Sequence, residues 1–162
     1  MKLTVLRHRI SEDMSVFGQI YFRKTEAALY DERRKKLLYD TVMEEAKVLD
    51  SLSNNYTKAW KVLLKWRDIS QAELSRRTMI TEKTIGNIIN GETVGTVNNV
   101  VLMCLAANLP WDMSNYLIQR SGHQLLFNND DHNWYRFVLK HMYPKSIPEI
   151  QAFLQEQGVS PL

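Results

Sequence analysis

The residues best suited to chemistry in this chain lie between Lys58 and Gly91, and that chemistry is hydrogen bonding. Thr81, Glu82, Lys83, Gly86 and Asn87 fall where an amphipathic helix leaves side chains outside when Ile85, Ile88 and Ile89 point inward. A face so small, polar and lightly charged suits a DNA major groove, which bulky apolar groups would not tolerate. Lys83 can donate to guanine O6 or N7, Asn87 can pair with two adenine atoms, and Glu82 can accept from cytosine N4. Gly86 has no side chain, so a thymine methyl or the DNA backbone can come close. Gln71, Arg76 and Asn90, with Lys61 and Lys65, are the candidates for phosphate. Lys58, Lys61, Lys65, Arg67, Arg76, Arg77 and Lys83 give seven cations between Lys58 and Gly91, against three carboxylates, Asp68, Glu73 and Glu82. Such a cluster can be a phosphate footprint; its ordinary meaning is a solvated helix face.

These residues need elements to hold them. Trp60, Leu63 and Leu64 give a helix from Lys58 to Asp68 one apolar face. Ser70-Gln71-Ala72-Glu73 is a capping-box sequence, so a second helix starts at Gln71 with Ser70 and Glu73 bonding reciprocally. That start leaves Gln71 on the first turn, near amides that can meet an anion. Thr81 is the N-cap of a third helix, Glu82 to Asn90, and Asn90-Gly91 is its stop. A fourth helix opens at Thr96 and is almost wholly apolar through Val100, Val101, Met103, Cys104, Leu105 and Ala107. Two short helices a few residues apart, braced by buried helices, have the geometry of a helix-turn-helix.

Three zones follow along the chain: 1–56, 57–122 and 123–162. The first holds ten basic and nine acidic residues and so has almost no net sign. Val16, Ile20 and Phe22 alternate with Phe17 and Tyr21, which reads as a strand. Ala27 to Tyr30 and Leu37 to Tyr39 flank the charged run Asp31 to Lys36 as a hairpin would; the rival is one long charged helix from Thr25 to Leu52. Beyond the polar break Asn128 to Asp131, Trp134, Phe137, Val138 and His141 have helical spacing. Pro144 to Pro148 interrupts, and Ile150, Phe153 and Leu154 form a last helix that stops at Gly158. The aromatic residues of this tail suit either core packing or a dimer interface.

The run Ser70 to Ser75, followed by Ile80-Thr81-Glu82-Lys83-Thr84-Ile85-Gly86-Asn87-Ile88-Ile89-Asn90-Gly91, resembles the Cro/C1 (phage-repressor) helix-turn-helix family. The resemblance implies a mainly α fold. A five-helix lambda-repressor-like domain would fill 57–122, with a small N-terminal β element before it and two C-terminal helices after. It also implies double-stranded DNA as partner and a homodimer that reads two half-sites. Met79 stands where the family turn holds Gly, and would adopt a backbone conformation that Gly reaches more easily. Glu92 is acidic where the family loop is often basic. More widely, Phe17 to Phe22, this segment and the tail Gly158 to Leu162 resemble bacterial proteins that join an ImmA/IrrE-type zinc peptidase domain to such a module. The His-Glu-x-x-His helix of those peptidases is missing from this sequence. A non-catalytic descendant that docks a protein partner is therefore the alternative to a DNA regulator.

The rest of the sequence narrows the choice. The chain has 162 residues, a net charge of +3 and one cysteine, Cys104, which suits a core position and excludes a disulfide scaffold. A reducing cytoplasm fits, and no apolar run approaches the roughly 18 residues of a membrane span. Met1 to Ile10 has three basic residues without the apolar stretch of a secretory leader. His8, His123, His132 and His141 match no zinc spacing, so neither metal nor cofactor is expected. No nucleophile and base share a recognisable context, so no enzyme is expected.

Overall fold

A computed structural model of the chain describes residues 29–162. The strand reading of Val16 to Phe22, and the wider resemblance built on Phe17 to Phe22, lie outside the described residues. Among the described residues the structure is mainly helical and has no strand. None of these helices is long and apolar enough to cross a membrane. The chain divides into two units, residues 1–47 and 48–162.

In the first unit the described residues belong to α1, residues 29–51. This overturns the hairpin: Asp31 to Lys36 lies inside a helix rather than at a tip. The physical reason is composition. Residues 25–52 hold no Gly, Pro or Asn to make a tight turn, and Ala, Leu, Glu, Lys and Arg dominate them. Lys35 pairs with Glu32 at 3.5 Å across one helical turn, with both side chains mostly in water. Such a pair stabilises little.

The second unit is built around a buried helix. Its elements are α2 (Tyr56–Trp66), α3 (Gln71–Thr78), α4 (Glu82–Ile89), α5 (Val97–Ala106), α6 (Trp111–Arg120), α7 (Asp130–His141) and α8 (Ile147–Glu156). Residues Val100 to Ala106 of α5 are all buried, because α3, α6, α7 and α8 pack against it from different sides. A helix apolar all round is buried in a protein core or a membrane, and α5 lies in the core. Asn55, Ser70, Thr81, Thr96, Asn129 and Ser146 each accept a backbone N–H from the first turn of the helix they start. Each such cap is worth about 1 kcal/mol.

The connections are tied by polar contacts that the core cannot supply. Tyr116 Oη donates to the Ser53 carbonyl at 2.7 Å, and Arg120 donates to Asn54 Oδ1 at 2.8 Å, so α6 fastens the segment ahead of α2. Arg136 donates to the Leu125 carbonyl at 2.8 Å and lies over the Phe127 ring at 4.0 Å, which fixes the approach to α7. Ser146 and Glu149 form the complete capping box of the chain's described part, and Pro148 sits in the first turn of α8. The segment Pro144 to Pro148 therefore breaks the chain only as far as Ser146. Proline is tolerated in a first helical turn because the N–H it lacks would have had no partner there.

Candidate functional site

Two short helices, α3 and α4, carry most of the residues singled out above, joined by Met79, Ile80 and Thr81. Ser70 Oγ accepts the Glu73 N–H at 3.1 Å and fixes the start of α3. At its other end, buried Thr78 donates its hydroxyl to the Leu74 carbonyl at 2.7 Å and accepts the Ile80 N–H at 3.2 Å. These bonds turn the chain out of the helix. Met79 takes the left-handed conformation, φ 62° and ψ 11°, and donates its N–H to the Ser75 carbonyl at 2.8 Å. Its side chain is 88% exposed. The expectation from sequence that Met79 would occupy a Gly-like backbone position is met.

Thr81 then caps α4, accepting the Thr84 N–H at 3.3 Å. Ile85, Ile88 and Ile89 are fully buried. At 100° per residue, Lys83, Gly86, Asn87 and Asn90 fall on the opposite side, at i, i+3, i+4 and i+7. Lys83 and Asn90 are exposed, as are Thr81 and Glu82 at the helix start; Gly86 and Asn87 are half-buried. Gly91, at φ 72°, ends the helix as the Asn-Gly stop requires.

Gln71 lies across from Gly86. A Cβ built on Gly86 would stand 3.4 Å from Gln71 Oε1. The first turn of α3 and the outer face of α4 thus meet at one place, and the glycine leaves room for the amide between them. The sequence alone did not give Gly86 this part.

Glu73 does not complete the capping box. Its carboxylate turns instead to two arginines. Arg76 donates from Nε at 2.8 Å and from Nη2 at 2.6 Å, and Arg77 donates from Nε at 2.7 Å. Charge-assisted bonds to guanidinium are stronger than a bond to a backbone N–H, so the arginines win the carboxylate. The hydrogen bonds of Arg76 and then Arg77 hold the Glu73 carboxyl down at about 2. Arg77 also donates to the Ala106 carbonyl at 2.8 Å, which ties α3 to the end of α5. Arg76, a phosphate candidate from sequence, therefore shares the Glu73 carboxylate with Arg77 within its own helix.

The loop after α4 supplies a partner that the sequence reading did not assign. With its amide nitrogen facing the acceptors, Asn87 donates to Glu92 Oε2 at 3.0 Å and to the Lys83 carbonyl at 3.1 Å. The Asn87 carbonyl also receives the N–H of Glu92 at 2.8 Å and of Thr93 at 3.2 Å. An adenine contact from Asn87 would have to displace the Glu92 carboxylate. The spacing Asn87-x4-Glu92 across a Gly stop was the available signal.

Lys61 and Lys65 stand on the exposed side of α2, opposite buried Ala59, Trp60, Leu63 and Leu64. Neither forms an ion pair among the described residues. Arg67 lies over the Trp66 ring at 4.0 Å. Cys104 is enclosed in α5, and burial pushes its thiol up to about 12. His132 accepts the Leu126 N–H on Nδ1 at 3.0 Å, while His141 packs beside Phe137. Among the described residues, no three His, Cys, Asp or Glu side chains converge as a metal site would need.

No family model, no curated protein and no solved structure matches this chain.

Proposed function

We propose that the chain is a sequence-specific DNA-binding regulator of the Cro/C1 helix-turn-helix type. In this reading the five helices α2 to α6 form the lambda-repressor-like domain and α4 is the recognition helix. Gln71 and Asn90 grip phosphate, helped by Lys61 and Lys65. Thr81, Glu82, Lys83, Gly86 and Asn87 address base edges. Arg76 contributes to phosphate only after leaving Glu73. The protein acts on double-stranded DNA as a homodimer in the cytoplasm, with half-sites about 34 Å apart.

The observation that carries this reading is the outer face of α4. It combines one cation, one glycine and two amides along a single side, with the Gln71 amide beside the glycine. No residue of α4 on that side is both apolar and large.

A second reading is a protein-docking module that keeps the same helices. It is favoured by the Glu92 carboxylate, which covers the Asn87 amide and places negative charge where phosphate would approach. One experiment separates the two. Duplexes are selected from a random library at low salt, and binding of the recovered site is followed as salt rises. A DNA regulator yields a palindromic motif, and its affinity falls steeply with salt. Lys83→Ala or Asn87→Ala then removes about 1–3 kcal/mol of discrimination at one base position. Folded protein that enriches no motif at low salt excludes the DNA reading and leaves the docking module.

A further inference from the structure

On the far side of α3 from its capped start, a cavity of about 410 Å³ opens between the end of α3, the end of α5 and the connection from α7 to α8. This volume falls within the range of small-molecule sites. Three cations line it: Arg76, Arg77 and Lys145. Ile147 and Pro148 supply apolar wall.

The charges around it do not cancel. Glu73 serves both arginines. Glu149 reaches Lys145 only at 3.9 Å, with both side chains more than half exposed. Three cations against two carboxylates leave one positive charge over. The donors are also unspent. Arg76 commits Nε and Nη2 to Glu73, and Arg77 commits Nε to Glu73 and Nη1 to Ala106. Arg76 Nη1 and Arg77 Nη2 make no hydrogen bond among the described residues. The N-terminus of α8 adds no vacant site, since the Glu149 side chain already satisfies the Ser146 amide at 3.0 Å.

We propose that this cavity binds a small organic monoanion, its charged group held by Arg76, Arg77 and Lys145 and its apolar portion laid against Ile147 and Pro148. Two unspent guanidinium nitrogens and a loosely held ammonium suit the oxygens of one carboxylate. The excess of a single positive charge selects a singly charged ligand. The apolar wall selects an organic anion over inorganic phosphate. The proposal stands apart from the DNA reading, and its test contains no DNA.

The test is a titration of the full chain, with the Ile147 methyl resonances as readout and hexanoate, hexanol and inorganic phosphate as probes. Hexanoate is expected to shift those methyls saturably. Hexanol and phosphate, each lacking one half of the match, are expected to bind at least about tenfold more weakly. Lys145→Gln and Arg76→Gln are exposed changes that leave the core intact, and each should weaken hexanoate about tenfold. Hexanoate that leaves the Ile147 methyls unmoved overturns the proposal. So does hexanol binding as well as hexanoate, or variants that match the parent while their remaining spectra show an intact fold.

Discussion

Replacing Met79 by glycine should make this protein more stable. The left-handed conformation of Met79, φ 62° and ψ 11°, brings the Cβ of an L-residue against its own carbonyl and costs about 1–2 kcal/mol. Glycine removes that clash but has more freedom to lose on folding, which takes back about 0.4–1 kcal/mol. The side chain offsets neither quantity, because at 88% exposure it buries almost nothing. The N–H bond to the Ser75 carbonyl survives the change. The net expectation for Met79→Gly is a gain of about 0.5–1 kcal/mol. For a unit spanning residues 48–162, that raises the melting temperature by about 2–4 °C. Met79→Ala is the control: it shortens the side chain, keeps the backbone clash, and should stay within about 0.5 kcal/mol of the parent. Urea unfolding followed by far-ultraviolet circular dichroism measures both. A glycine variant no more stable than the parent, or an alanine variant that gains as much, would refute the backbone argument.

Glu73 makes stability depend on acid. Its folded value of about 2 lies below the usual 4.5, so its contribution is complete above about pH 4.5 and fades as pH falls toward 2. Melting temperatures of the parent and Glu73→Gln across that window should converge at the acid end. Gly95 and Gly91 both have positive φ, but a Cβ on Gly95 would stand 2.8 Å from Ile88 Cδ1, whereas one on Gly91 meets nothing within 4 Å. Denaturant titration should show Gly91→Ala losing about 1 kcal/mol from backbone conformation alone, and Gly95→Ala losing more. Cys104, fully enclosed with its thiol near 12, should resist a thiol reagent at pH 8 in native buffer and react at once in denaturant. Prompt labelling of the native protein would contradict the burial.

What the sequence disclosed was local. Ser70 and Thr81 announce α3 and α4 because a hydroxyl next to its own amides needs no distant partner. The apolar run from Val100 to Ala107 announces α5 because no surface helix could afford it. The fate of Glu73 was not legible: a capping box and an arginine pair at i+3 and i+4 compete for one carboxylate, and only geometry says which wins. Residues 29–51 misled by their charge. The run Asp31 to Lys36 looks like a loop tip, yet the lack of Gly, Pro or Asn near it was the stronger signal. The cavity lay furthest out of reach. Arg76 and Arg77 stand far from Lys145 in the chain, and only the packing of α8 beside α5 brings them to one place.

The enclosure of α5 also sets an order of events during synthesis. Its covering helices come from both directions along the chain: α3 before it, and α6, α7 and α8 after it. Leu154 of α8 and Val159 beyond it are buried in the same core cluster. A growing chain therefore holds an apolar helix whose cover is completed only after α6, α7 and α8 have followed it. A chain cut before α6 to α8 would leave exposed the apolar faces of α5 that those helices cover.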